Sequence, residues 1–334
     1  MQISFLNVLI TVFALVILAV PGFLLVKTKI LSPKADAPLS ALVLYGCQPV
    51  MVFMSFQKTS FTPEIATNML IVAGLAFAAQ LLMIGVVYLL IRNRGDKVKR
   101  NCVRFASVFS NCGYMGLPFL QALFSNSGSL AGEILIYGGI VIATFNLLMW
   151  SIGVFMITGD KKQMSIKKAL LNPTVIGLIL GIIVFLTVRT PFVELPAPNT
   201  DLSLFVTKLM QSLNFVSETV TPLSMIVVGV KLASVNLKEL FLDKWAYFAC
   251  FNKLIVMSLL VMLLVAFLPV DATVKYAVFF CLSMPSATGT VMFAVNFGGD
   301  GKTASVIVLL STIFSIITIP LMFLLFSQGF GVVI

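Results

Sequence analysis

Histidine is absent from all 334 residues. That absence excludes histidine-ligated zinc and haem, and every catalytic triad that uses an imidazole as its base. No glycine-rich loop ends in Gly-Lys-Ser/Thr, so a P-loop ATPase is excluded as well. Charged residues make up only 10%, against about 25% in a typical globular domain. The five cysteines (Cys47, Cys102, Cys112, Cys250 and Cys281) lack paired metal spacing and fall mostly within apolar runs. They read as buried free thiols, and neither a metal nor any other cofactor is expected.

What the chain has instead is apolar surface, with 60% hydrophobic residues and a mean hydropathy of +1.10. A soluble fold of this size has nowhere to hide so much of it, so the bilayer is the expected solvent. The net charge of +10 does not point to nucleic acid, because the 22 basic residues cluster in short loops between apolar runs.

Ten predominantly apolar stretches are long enough to cross a hydrocarbon core of ~30 Å. They cover 3–26, 38–57, 65–91, 105–124, 133–157, 170–188, 205–230, 245–268, 276–297 and 303–327. The first lacks a basic leader and is too long for a signal-peptide core, so it is read as a retained span. Seventeen basic residues lie in the loops after spans 1, 3, 5, 7 and 9. Four lie in the alternate loops, counting Lys208 in the first turn of span 7 with the loop before it, and Lys253 lies within span 8. This bias predicts a multi-pass inner (cell) membrane protein with both termini outside and the loop 158–169 in the cytoplasm. Arg92, Arg94, Lys97, Lys99 and Arg100 then serve first as orientation signals and second as lipid-headgroup contacts.

Sliding the sequence on itself by 173 residues superposes Pro49 on Pro222, Lys58 on Lys231, Ser110 on Ser283 and Gly116 on Gly289. Gly128 also meets Gly301, and Leu148 meets Leu321. Residues 1–157 and 170–334 thus read as two five-span repeats joined by 158–169. An odd number of spans per half requires that the halves sit inverted in the membrane. The expected fold is an all-α integral membrane protein of ten transmembrane helices. Inverted repeats of this kind are a device of carriers, although gene duplication alone also leaves such traces.

Spans 4 and 9 concentrate the polar and helix-breaking residues. Span 4 holds Ser110, Asn111, Cys112, Gly113, Tyr114, Gly116 and Pro118. Span 9 holds Ser283, Pro285, Ser286, Thr288 and Gly289. Proline removes a donor and glycine tolerates unwound backbone, so both helices are expected to break. The freed backbone groups cannot face lipid and must line an enclosed polar cavity. Two half-helix N-termini there would favour an anion, best a carboxylate. The plainer alternative is a pair of kinked helices with packing glycines.

Other polar groups lie within the membrane. Gln211, Asn214, Glu218 and Thr221 form a stripe on span 7, expected to be a wetted face. Glu218 is a candidate H+- or Na+-coupling group, or a partner for backbone freed by Pro222. Lys253, beside Asn252, is a candidate substrate or counter-ion contact, and otherwise needs a water pocket. Gln48 and Asn146 complete the candidate substrate-binding set.

At these residues the chain resembles the auxin efflux carrier family, which includes plant PIN-type carriers and bacterial malate or malonate permease-like members. The likeness rests on Asn111 with Gly116-Leu117-Pro118, and on Thr221-Pro222-Leu223-Ser224 with Val228-Gly229-Val230-Lys231-Leu232. It extends to Met284-Pro285, Ala294, Ala304-Ser305, Ser311-Thr312 and Thr318-Ile319-Pro320. The resemblance implies a fold like that of bile-acid symporters, with spans 4 and 9 crossing as broken helices. Spans 1, 2, 6 and 7 would form a scaffold, and spans 3–5 with 8–10 a moving transport domain. It also implies that Asn111 meets a substrate carboxylate, that Pro285 breaks span 9, and that the protein forms homodimers. Plant members carry proline just before that asparagine. Here the place is Ser110, which leaves the break to Gly113, Gly116 and Pro118.

The function expected is secondary transport of a small organic anion, such as malate, malonate or an auxin-like acid. An anion channel or passive pore is the alternative. A membrane-embedded enzyme ranks lower, because spacing reveals neither a mid-membrane acid pair nor a Ser-Lys constellation.

Overall fold

The computed structural model describes residues 4–92, 95–197, 200–234 and 243–331, so Arg94 lies outside the described residues. In chain order the main helices are α1 (Phe5–Lys27), α2 (Pro33–Phe56), α3 (Pro63–Leu90), α4 (Lys97–Val108), α5 (112–123) and α6 (Ser129–Thr158). They continue with α7 (Pro173–Thr187), α8 (Asp201–Ser234), α9 (Lys244–Ala266), α10 (Ala272–Ser283), α11 (Gly289–Asn296) and α12 (Gly301–Gly329). The described residues contain no strand, only one isolated β-bridge.

Helix starts follow local chemistry. Thr62, Asp96, Asn172, Asp243, Asp271 and Asp300 each cap a helix by accepting a hydrogen bond from a first-turn N–H. Pro63 and Pro173 occupy first-turn positions, where no donor is needed. Among the described residues, eight helices are long and apolar enough to cross a membrane. The stretches expected as spans 4 and 9 are not continuous. Phe109 and Met284 turn extended, separating α4 from α5 and α10 from α11.

Glycine lies at several helix contacts, two of them against backbone carbonyls along long helix pairs. α1 lies along α8, where a Cβ on Gly22 would overlap the Ile226 carbonyl and one on Gly229 would overlap that of Ala19. α7 lies along α2, with Gly177 against the Pro49 carbonyl. Membrane helices lack a hydrophobic force between them, so such close approach supplies the packing energy. The opposite face of α1 (Leu6, Ile10, Phe13, Ile17 and Leu24) is exposed, as expected of a lipid-facing surface.

At one end of the bundle Lys99 pairs with Asp243 at 2.8 Å, joining α4 to the start of α9. Burial alone would raise the Asp243 carboxyl. The Lys99 ammonium, the Trp245 N–H and the Thr303 hydroxyl together hold it below the usual carboxylate range. The junction therefore contributes stability near neutral pH and loses it as acid protonates the carboxyl.

Candidate functional site

The two interruptions lie against each other. The Asn111 N–H donates to the Pro285 carbonyl at 2.7 Å, and the Ala287 N–H donates to the Phe109 carbonyl at 2.8 Å. Together they form an antiparallel bridge between Ser110 and Ser286. Backbone freed by one break thus satisfies backbone freed by the other, as a low-dielectric interior demands. Side chains brace the joint. The Ser286 hydroxyl donates to the Ala106 carbonyl at 2.8 Å, and the Ser110 hydroxyl donates to that of Leu282 at 2.6 Å. At the place where the resembled plant carriers have proline, Ser110 adds a cross-break hydrogen bond.

Beside the joint is a cavity of about 380 Å³. Of the residues expected from sequence, Gln48, Ser110, Asn111, Cys112, Gly113, Tyr114, Asn146, Thr288 and Gly289 line it. Gln48 is held in place from both ends. Its Nε2 donates to the Gly113 carbonyl at 2.9 Å, and its Oε1 accepts from the Thr174 hydroxyl at 3.2 Å. Asn146 donates to the Ile142 carbonyl at 2.9 Å and accepts from the Asn172 amide at 3.3 Å. The Tyr114 hydroxyl donates to the Ser40 carbonyl at 3.2 Å. Asn111 differs from these: it is 3% exposed, and its Nδ2 donor is buried without a partner. An unmet buried donor of this kind costs about 1–3 kcal/mol.

The other expected residues do not line the cavity. The Pro285 carbonyl and Ser286 belong to the joint, and the Ser283 hydroxyl is buried without a partner behind it. Gly116 packs towards Met284, and Pro118 is buried near the start of the α-helical part of α5. Lys253 is buried against the breaks. Glu218, on the stripe expected to be a wetted face, does not line the cavity either. It is exposed on the outer surface of α8, bonded at 2.7 Å to the Asn214 amide, with Gln211 also exposed.

Sequence reasoning did not count Lys231 as a site residue, although that lysine was met as a loop charge, a repeat match and part of the resemblance to the auxin efflux carriers. It lines the cavity, its Nζ 5.6 Å from the centre of the Tyr114 ring. Asp36 lies across the same wall, and a second cavity of about 550 Å³ shares Asp36, Lys231, Thr288 and Met292. Asn172 and Thr174 were also missed. Both hold amides of the cavity wall, Asn172 donating to Asn146 and Thr174 to Gln48. Ser40 apart, the rest of that wall is largely apolar and aromatic, including Ile142, Phe145, Met149, Trp150 and Phe293.

A polar pocket enclosed by apolar helices, next to two helices broken at the same place, is the architecture of a membrane transporter. The family model described as "Membrane transport protein" matches residues 7–168 and 160–323, one stretch over each half. The chain belongs to this family, in agreement with its resemblance to the auxin efflux carriers. It is also 24% identical over 313 residues to a protein of Methanocaldococcus jannaschii named as an uncharacterized transporter. That match covers 93% of this chain and 96% of the relative.

Proposed function

We propose that the protein is a secondary carrier for an organic monocarboxylate with an apolar body, working by alternating access. The observation that carries this proposal is the Asn111 amide, a buried donor without a partner at the wall of the cavity. A carboxylate would satisfy it. The first N–H groups of α5, at residues 112–114, precede the first bond to the Asn111 carbonyl and add positive potential at the same wall. Lys231 supplies one full charge. Asp36 nearby disfavours a second carboxylate on the substrate, and the aromatic wall suits a hydrocarbon or ring. An auxin-like acid therefore fits better than malate or malonate.

In this scheme α4 with α5 and α10 with α11 are two interrupted spans that cross at their bridge, making ten spans. Residues 1–157 and 170–334 are inverted halves, with 158–169 connecting them. α1, α2, α7 and α8 form the scaffold, and the remaining helices form the transport domain. Exchange of the halves' conformations moves the site's opening across the membrane. The bias of the loop charges supports an orientation with both termini outside an inner membrane and the Asp36–Lys231 end of the cavity towards the cytoplasm.

Uptake of labelled malate, malonate, citrate and indole-3-acetate into proteoliposomes, with and without pH or Na+ gradients, tests the proposal. Saturable uptake, fastest for the aromatic monocarboxylate, is expected. Non-saturating flux without counter-transport would identify a passive pore. Lys231→Gln should raise KM about 10-fold, the effect of one charge-assisted contact. That difference should shrink in high salt.

The outward face of α8 supports a homodimer. Gln211, Asn214 and Glu218 offer amide and carboxylate groups where lipid would otherwise lie, and an exposed carboxylate there is costly. The same stripe on a second copy, related by a two-fold axis, can answer its donors and acceptors. In lipid nanodiscs the protein should have the mass of a dimer, and Glu218→Leu should shift it towards monomer. A monomeric wild type would refute the pairing.

A further inference from the structure

Lys253 is fully buried in α9, inside a π-helical turn at 252–256. Single π-turns in membrane helices often mark functional positions. Its ammonium faces three oxygens: the Val108 carbonyl at 3.2 Å, the Leu282 carbonyl at 2.9 Å and the Ser110 hydroxyl at 2.6 Å. An ammonium has three N–H donors, so all three are used. Val108 is the last residue of α4, and Leu282 is the last but one of α10. The final carbonyls of a helix have no partner within it and carry the negative end of its dipole. One positive charge therefore faces two negative helix ends at once. Among the described residues, no carboxylate lies within ion-pair distance of Lys253.

The shell consists of oxygen alone, two carbonyls and a hydroxyl, the donor set that protein backbones offer to small hard cations. The first repeat supplies no second charge. Shifting Lys253 back by 173 residues gives Gln80, a buried neutral amide that donates to Ala76 and Thr144 at 3.3 Å. We propose that the ends of α4 and α10, with Ser110, form a monovalent-cation site whose permanent occupant is the protein's own Lys253 ammonium. The charge that joins the two breaks is tethered to the chain, so movement of substrate requires no Na+ at this place. That consequence for transport rests on the carrier function proposed above. The cation site itself does not.

Thermal unfolding of the purified protein in detergent tests the site without any substrate. The wild type should melt at the same temperature in choline, sodium and methylammonium chloride. Lys253→Ala should melt roughly 5–10 °C lower in choline. It should regain at least half of that loss, saturably, with millimolar Na+ or methylammonium. Lys253→Met, which keeps the bulk and removes the charge, should melt lower than wild type and show no recovery. Equal melting of Lys253→Ala in all three salts would overturn the proposal. So would saturable stabilisation of the wild type by Na+. If Lys253→Ala does not fold, Lys253→Met decides: melting with the wild type would overturn the proposal, and a loss of several degrees would support it. In proteoliposomes, wild-type uptake should be equal in sodium and choline. Absence of uptake of any acid would count against the carrier function and leave the thermal result standing.

Discussion

Asn111→Ala is expected to lower saturable uptake about 100-fold while leaving the thermal midpoint of the protein unchanged or slightly raised. The two effects diverge because the side chain and backbone of Asn111 have separate tasks. Its N–H and carbonyl hold the joint, through Pro285 on one side and Met115 with Gly116 on the other, and alanine keeps both. The side-chain Nδ2 is buried and unpartnered, so deleting it removes a penalty from the empty protein. With substrate bound, a hydrogen bond to a carboxylate is worth about 1.5–3 kcal/mol, a factor of roughly 10 to 150 in affinity. Asn111→Asp sharpens the test, because it keeps the shape but brings a negative charge to a carboxylate. It should abolish uptake altogether. A loss of less than about threefold for alanine would show that the amide does not touch the substrate, since even a weak contact to an ion exceeds that.

The largest loss of stability is expected from Gly229→Val. A Cβ on Gly229 would overlap the carbonyl of Ala19, and the same helix pair depends on Gly22 beneath the carbonyl of Ile226. Both obstacles are backbone atoms, so no rotamer change relieves them and α1 must move away from α8. Overpacking of this severity costs more than about 4 kcal/mol, enough to remove most folded protein. Gly74→Ala is the matched control. It lies within α3, and nothing approaches its added Cβ within 4 Å. Helix propensity alone should make it neutral or stabilising by up to about 1 kcal/mol. Detergent-resistant protein recovered by size exclusion would separate the two. Recovery of Gly229→Val at wild-type yield would refute the close helix contact.

The breaks were legible in the sequence because proline, glycine, serine and asparagine change local backbone chemistry wherever they fall. The stretches around Asn111 and Pro285 announced themselves without any knowledge of their neighbours. Contacts across the chain were not legible in that way. Lys253 stood out as a buried charge, but its acceptors at Val108 and Leu282 lie 145 and 29 residues away. Nothing local identified it as a cap on two helix ends. Glu218 shows a different limit. A polar stripe at helical spacing reveals that one face differs, but not whether that face looks into the protein or away from it. Lys231 was hidden by position, because a lysine at the end of an apolar run reads first as a topology signal. Asn172 was hidden likewise by a cap-and-proline signature that fully explains a helix start.

The bridge between the two breaks also bears on how the chain is made. The Asn111 N–H finds its acceptor at Pro285, and the Phe109 carbonyl its donor at Ala287, so neither is satisfied until the second half has been synthesised. At 5–20 residues per second, the first break waits roughly 10–35 s at the ribosome for its partner. Throughout that interval the segment around Phe109–Asn111 carries bare amide groups that hydrocarbon will not accept. The nascent first half must therefore stay in contact with water, or with the insertion machinery, until the second half arrives. A chain truncated before residue 285 should accordingly be a substrate for membrane quality control rather than a stable half-carrier.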